Sequence, residues 1–207
     1  MADAIMGTDD EPSEETTSMA DGHDTIRPIT VDDDSLDDEQ RAVHDAIVAS
    51  PRGGVHGPLR VWLLSPALAD RAQSLGAFCR FGTSLPPRLS ELAILVMGSH
   101  WRAGFEWFAH EPMARAAGVN AEATEAIRRG ETPELPDDER AVYEFSRELI
   151  ETHEVSDDTY ATAIATLGQR GVVDLVGILG YYSLISMTIN AFRIPVPEGA
   201  IEPFADL

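Results

Sequence analysis

The chain has 207 residues, of which 43% are hydrophobic, and a formal net charge of −21 at pH 7. This length and composition predict one domain with a single hydrophobic core. The negative charge excludes nonspecific binding to nucleic acid, which requires a basic face. All fifteen basic residues are arginine, and the absence of lysine excludes mechanisms that depend on a Schiff-base lysine or a P-loop lysine.

The first segment of the chain is strongly acidic. Residues 1–34 are rich in Asp, Glu, Ser and Thr, and the first forty residues hold fourteen acidic side chains and one arginine. Such a segment buries too little apolar surface to offset the entropy cost of ordering it. We therefore predict a disordered acidic tail over residues 1–34 and one helical domain over residues 35–207. The N-terminus lacks the charged-then-apolar pattern of a signal peptide, which predicts a cytoplasmic protein.

The rest of the chain shows helical periodicity and no strand-like alternation, which predicts an all-α fold. Capping residues, prolines at first helical positions and amphipathic spacing mark the helix ends. The predicted helices cover residues 35–49, 58–64, 66–81, 87–98, 103–117, 120–129, 137–151, 156–167 and 172–192.

The last predicted helix, residues 172–192, is apolar almost throughout and approaches the length that spans a bilayer. Asp174, Tyr181 and Asn190 interrupt it with polar groups, so we predict a core helix and no membrane contact. A helix that is apolar on every side must be covered on every side. We therefore expect a second copy of the chain to cover its outer face.

The most apolar run, RLSELAILVMGSHWRAGFEWFAH over residues 88–110, nevertheless carries four ionisable side chains: Glu91, His100, Glu106 and His110. Burying a carboxylate or an imidazole is costly unless it is paired or neutralised. Glu106 and His110 are one helical turn apart, so their side chains can touch. The pattern predicts either a polar cluster that satisfies itself or a functional site.

Proton transfer is the chemistry that these residue types fit best, because an imidazole titrates close to neutral pH. We predict His110 as the general acid/base, Glu106 as its orienting partner or a second base, and Glu91 as a proton relay. The substrate is a small carbonyl or carboxylate compound, and no cofactor is expected. The residues predicted to bind the substrate are Trp107, His100, Tyr181 and Asn190.

Three alternatives stay open from the residues alone. Glu106 and His110 can form a purely structural ion pair, with His100 simply ending a helix. Together with Glu91 these residues can also be combined into a metal site, although carboxylate-bridged helical bundles use Glu-x-x-His spacing, and we predict no metal. The third alternative is a non-catalytic oligomeric binding protein.

At these residues the sequence resembles the carboxymuconolactone decarboxylase family, which includes the alkylhydroperoxidase D–like proteins. In the peroxidase branch, a glutamate on one helix precedes a Cys-x-x-Cys-x-x-x-His run on the next. Glu91 and His110 stand at the glutamate and histidine positions, and Ala103 and Glu106 stand at the two cysteine positions. The flanks LPPRLSELAIL and EPMARAAGV and the later RGVVDLVGILGYYSLISMTINAF are also similar to the family. The resemblance covers roughly residues 58–197.

The resemblance implies an alkylhydroperoxidase D–like helical fold, a lactone-decarboxylating lyase or isomerase activity without cofactor or metal, and a homotrimer or homohexamer. Peroxidase activity of this family needs a reactive thiolate and a second, resolving thiol. Cys79 is the only cysteine of the chain, and its apolar GAFCRF setting predicts a buried, unreactive thiol. We therefore predict no thiol peroxidase activity.

Overall fold

Helices make up the regular structure of the described part of the chain, which is Arg27 and residues 31–207 of the computed structural model. The predicted all-α fold is confirmed. A short 3₁₀ turn spans Asp33–Ser35. The α-helices are α1 (Asp38–Val48), α2 (Pro58–Trp62), α3 (Pro66–Phe81), α4 (Pro87–His100), α5 (Gly104–Ala116), α6 (Ala121–Arg129), α7 (Asp137–Thr152) and α8 (Asp157–Phe192).

The predicted disorder of residues 1–34 falls mostly on residues 1–26 and 28–30, which lie outside the described residues. Three of the described residues of this segment, Arg27, Val31 and Asp33, contact the helices. Arg27 donates to the carbonyl oxygen of Ala191 (3.3 Å). Arg60 of α2 donates to the carbonyl oxygen of Val31 (2.6 Å) and pairs with Asp33 (2.9 Å). The chain therefore joins the helical domain beside α2.

Helix α1 begins later than the predicted Ser35, and a reciprocal cap explains its start. The Asp37 side chain accepts from the backbone N–H of Gln40 (2.9 Å), and the Gln40 side chain accepts from the N–H of Asp37 (3.0 Å). This capping box satisfies two N–H groups that would otherwise lack partners. It fixes the first helical residue at Asp38.

The two helices predicted for residues 156–167 and 172–192 are both present, but they join into the long helix α8. The join is a single non-helical residue, Gly168, with φ 71° and ψ 170°. Glycine has no Cβ and reaches this region without steric cost. The intervening loop that the sequence suggested is therefore reduced to one kink.

Helix α4 is the centre of the domain and packs against α5, α6, α7 and α8. Residues 89–98 of this helix are all buried, so its apolar sequence reflects contacts on every side. After α4 a tight turn places α5 back along it, with the N–H of Ala103 bonded to the carbonyl of Gly98 (2.9 Å). Trp101 lies in the turn between the two antiparallel helices, with Glu91 ten residues before it and His110 nine residues after it. Because each helical residue rises about 1.5 Å, Glu91 and His110 lie at nearly the same distance from the turn and therefore face each other.

Helix α8 is the one helix in the described part of the chain that is long and apolar enough to cross a membrane, and 61% of its most apolar window is buried within the domain. It packs against α4, α7 and α3. A central helix of a globular domain has the same composition because it is covered by its neighbours. The packing favours the predicted core helix.

Candidate active site

Three ionisable side chains meet between α4 and α5: Glu91, Glu106 and His110. His110 Nδ1 lies 2.7 Å from Glu91 Oε2, at hydrogen-bond distance. On the other side of the ring, His110 Nε2 lies 3.0 Å from Glu106 Oε1. All three residues are buried, with exposures of 4–8%. The imidazole is therefore held between two carboxylates, one from each helix.

The two contacts of the ring differ in geometry, although both distances are short. Glu106 Oε1 is buried and lies 3.0 Å from Nε2 without the alignment of a directed hydrogen bond. The contact with Glu106 is thus an ion pair without a well-directed hydrogen bond, whereas Glu91 fixes the orientation of the ring.

The charge of His110 follows from these neighbours. Burial lowers the pKa of the imidazole, but the negative charge and close contact of Glu106 and the hydrogen bond to Glu91 outweigh burial and raise this pKa to about 9. An opposite charge within a few ångströms favours the charged form. His110 is therefore an imidazolium at neutral pH and neutralises the negative charge around it.

A cavity of about 480 Å³ opens directly onto this cluster. Its walls come from the loop before α2 and from α2, α3, α5 and α8. This volume suits a small organic molecule. The polar side chains that line it are Arg52, His56, Arg60, Arg80, Glu106, His110, Tyr181 and Tyr182.

Two tyrosines of α8 form the floor beside the histidine. The ring of Tyr182 meets the imidazole of His110 edge-on, with centroids 5.2 Å apart, and the ring of Tyr181 meets Tyr182 in the same way at 5.2 Å. Burial raises the pKa of Tyr181 to about 12 and the pKa of Tyr182 well above its ordinary value. Both phenols therefore stay protonated and can donate hydrogen bonds to a ligand.

Comparison with solved structures identifies this arrangement of helices. The structure superposes on the alkylhydroperoxidase AhpD core of a peroxidase-related protein from Ralstonia eutropha, with a TM-score of 0.67, 14% identity, and coverage of 86% of this chain and 94% of the other. The chain has the AhpD-like fold.

Other proteins with the AhpD-like fold match at similar levels. A peroxidase-related protein from a Silicibacter species gives a TM-score of 0.65 at 15% identity, covering 83% of this chain and 94% of the other. The debrominase Bmp8 gives 0.65 at 12% identity, covering 82% and 91%. No protein-family model matches the chain, and no curated protein matches its sequence. The narrower resemblance to carboxymuconolactone decarboxylases stays a prediction.

Within the AhpD-like fold, Glu106, His110 and Tyr181 all line the cavity, as the predicted site requires. Glu91 lies behind His110 and reaches the cavity only through it. The remaining predicted substrate-binding residues, Trp107, His100 and Asn190, do not line this cavity, so this cavity does not support their predicted role in binding the substrate.

Each of the three residues that lie outside the cavity has a different environment. Trp107 is buried against Phe204, with ring centroids 5.6 Å apart. His100 is exposed at the end of α4. Asn190 is also exposed, and its side-chain amide donates to the carbonyl oxygen of Trp101 (2.6 Å).

The metal alternative is not supported by the geometry of its four candidate ligands. His100 lies nine residues after Glu91 on α4, and this spacing of two and a half turns places it on the opposite side of that helix. Both ring nitrogens of His110 already face carboxylates. Among the described residues, no group of three or more His, Cys, Asp or Glu side chains is arranged to hold a metal ion.

Cys79 of α3 is fully buried. Burial and the neighbouring charge of Asp174 raise the pKa of its thiol to about 11, although Arg52 opposes them. Thiol reactivity depends on the thiolate, which this environment suppresses.

We therefore expect no consumption of alkyl hydroperoxides in the presence of a dithiol reductant. A coupled peroxidase assay on the wild type and on Cys79→Ser checks this, and the two proteins should be indistinguishable. Robust peroxide turnover that disappears in Cys79→Ser would contradict the prediction.

Proposed function

We propose that this protein is a cofactor-free lyase or isomerase that moves a proton on a small carboxylate, lactone or keto compound. The observation that carries the proposal is Glu106, a buried carboxylate that lines the cavity and contacts the charged ring of His110. A carboxylate kept out of water and turned towards a ligand cavity is suited to act as a base. The comparisons support the fold on which this proposal rests.

Our proposal gives the residues different roles from the sequence prediction, which makes the imidazole of His110 the general acid/base. Its ring is already protonated and both nitrogens face carboxylates, so it has no free lone pair to accept a proton. In our proposal Glu106 is the base, and His110 stabilises the charge of Glu106 and stores a proton. Glu91 orients the ring through Nδ1 and accepts a proton when one moves through the imidazole.

The proposed reaction begins when Glu106 removes a proton from the carbon next to the substrate carbonyl. The electron pair of the broken C–H bond moves to the carbonyl oxygen and gives an enolate. Return of the proton from Glu106 to another carbon of the conjugated system completes an isomerisation. In a lyase reaction the bond to a carboxylate carbon breaks instead, carbon dioxide leaves, and the electron pair stays on the substrate. A proton that passes from the His110 imidazolium through Glu106 then protonates this carbanion, and His110 is reprotonated from solvent.

A turnover screen with a matched pair of variants tests the proposal. Glu106→Gln keeps the shape of the side chain but removes the base, and general acid–base groups commonly contribute about 10²–10⁴ to the rate. We expect kcat for the substrate found in a panel of lactones and keto acids to fall by at least about 100-fold. Glu111→Gln is the control, because Glu111 lies on the same helix and pairs with Arg115 away from the cavity.

Two outcomes of this screen are decisive against the proposal. A folded wild-type protein that turns over no member of the panel favours the binding-protein alternative. A Glu106→Gln variant with the kcat of the wild type removes Glu106 from the chemistry.

We also propose that the protein works as a homo-oligomer, a trimer or a hexamer. The outer face of α8 leaves apolar side chains exposed, with 71% of Val173 and 45% each of Val176 and Met187 accessible. Exposed apolar patches of this kind often mark contacts between subunits. Light scattering after size exclusion measures the mass directly. A monodisperse species at the chain mass of 22.5 kDa would contradict the oligomer.

A further inference from the structure

Arg52 stands out among the described arginines because part of its guanidinium group is buried without a hydrogen-bond partner. No carboxylate lies within 4.0 Å of its guanidinium among the described residues. Its Nε is buried and has no hydrogen-bond partner. Its side-chain contact is an N–H donated to the hydroxyl oxygen of Tyr181 (3.3 Å). A buried N–H without a partner is costly, and this half-buried side chain lines the cavity.

The surrounding charges reinforce Arg52. Arg80 also lines the cavity, and its contacts in the described structure are the sulfur of Met113 (3.0 Å) and the ring of Phe81 (5.2 Å to the centroid), neither of which carries a formal charge. Arg60 is the third arginine of the wall and is neutralised by Asp33. The cavity wall thus carries two guanidinium groups with no described carboxylate within 4.0 Å, whereas the cluster of Glu91, Glu106 and His110 carries one net negative charge. The charges around the cavity therefore sum to a positive value in a protein of net charge −21, and such a pocket attracts small anions.

The position of Arg52 is built into the packing of α3. Gly76 of this helix is buried, and a Cβ at that position would overlap the hydroxyl of Tyr181 and the guanidinium of Arg52. The glycine lets both groups approach the helix backbone closely. Arg52 and Tyr181 are therefore held together on one wall of the cavity, with Glu106 and His110 on another.

We infer that Arg52 binds a carboxylate group that stays on the substrate throughout the reaction. A guanidinium presents a planar pair of donors that matches the two oxygens of a carboxylate, and the Tyr181 hydroxyl adds a neighbouring donor. Glu106 repels the same anion, so the charged end of the substrate points to Arg52 and its reacting carbon to Glu106. The inference deepens the proposed function and rests on it only for the position of the reacting carbon.

Binding measured without turnover tests the role of Arg52. The probes are short-chain mono- and dicarboxylates, with cyclopentanecarboxylate and the neutral cyclopentanecarboxamide as a matched pair, titrated by calorimetry into the full-length protein. We expect carboxylates to bind the wild type more tightly than the amide. Arg52→Gln should weaken carboxylate binding by about tenfold or more, as expected for loss of a charge-assisted contact, and leave the binding of the amide unchanged.

Two further variants make the result specific. Arg52→Lys keeps the charge but loses the planar pair of donors, so it should recover part of the affinity and shows that a loss in Arg52→Gln is not misfolding. Arg71→Gln removes the same charge from the exposed face of α3, where Arg71 bonds to the carbonyl of Ala67, and should bind like the wild type.

The outcomes separate this inference from the proposed function. Equal carboxylate affinity in the wild type and Arg52→Gln, or no binding of any carboxylate by the wild type, overturns the inference. Binding that depends on Arg52 in a protein without turnover upholds the inference and removes the proposed reaction. Once a substrate has been identified, Arg52→Gln should raise KM for that substrate with a smaller change in kcat. Arg52 would bind the substrate carboxylate equally in the ground state and in the transition state, and loss of such uniform binding affects mainly KM.

Discussion

Replacement of His110 by alanine should lower the free energy of unfolding by about 3–5 kcal/mol, the range found when one partner of a buried ion pair is removed. The variant leaves the carboxylates of Glu91 and Glu106 buried on facing helices without the cation that neutralises them. Turnover should be lost as well, because in our proposal His110 stabilises the charge of the base Glu106 and supplies its proton. Urea unfolding followed by circular dichroism measures the stability.

Two matched variants sharpen this measurement. His44→Ala removes a histidine whose ion pairs with Asp33 and Asp45 are at the surface, so its cost should stay below about 1 kcal/mol. Adding Glu91→Gln to His110→Ala removes one of the two stranded charges and should recover part of the lost stability. If His110→Ala is as stable as His44→Ala, the buried ion pair has no energetic role.

The stability of the wild type should also fall as the pH rises from about 6.5 to 9. The pKa of His110 is raised to about 9 in the folded protein, above its ordinary value near 6.5. A raised folded-state pKa gives stabilisation that is complete below the unfolded pKa and is lost as the pH passes through the folded pKa. The shift corresponds to a loss on the order of 3 kcal/mol.

Unfolding curves measured at closely spaced pH values across this window test the expectation. Cys79→Ser is the useful background, because the raised pKa of the buried thiol contributes a loss of the same sign at higher pH, between 9.0 and about 11. The additional His110→Gln change should flatten the dependence between pH 6.5 and 9. A wild-type stability that is constant over this window would show that His110 is not charged in the folded state.

The helices and the central cluster could be predicted because both depend on local spacing. Glu106 and His110 are four residues apart on one helix, and this spacing brings them together in any α-helix. Spacing does not predict the pairing of Glu91 with His110, because the two residues lie on different helices. The resemblance to a known family placed both in one site without predicting their contact. The sequence pattern predicts a helix that begins at Ser35, which places Asp37 and Gln40 inside the helix and so does not predict the reciprocal cap at Asp37.

Helical geometry also explains why two of the predicted substrate-binding residues, Asn190 and His100, lie outside the cavity. Asn190 is nine residues from Tyr181 on α8, and His100 is nine residues from Glu91 on α4. Nine residues make two and a half turns and place the two side chains on opposite faces of a helix. Trp107 follows Glu106 directly and is rotated by about 100° from it, which turns its ring towards Phe204 and away from the cavity.

Arg52 could not be found from the sequence by spacing. It stands in a PRGG loop, and its partner Tyr181 is 129 residues further along the chain. No periodic rule connects a loop residue with a distant helix, so only the fold brings the two groups to one cavity. Gly76 is the one sequence feature that hints at this close approach. A glycine inside a helix lowers the stability of the helix, so its presence there often means that another group packs closely against the backbone.

The burial of Cys79 makes the protein convenient for site-specific chemical labelling. Maleimide dyes react with thiolates, and the single native thiol is both inaccessible and protonated at neutral pH. One cysteine introduced at an exposed position such as Ser74 should therefore carry a dye without removal of the native residue. Since the chain contains no lysine, amine-reactive dyes have no side chain to modify, and a second fluorophore can be directed to the N-terminal amine.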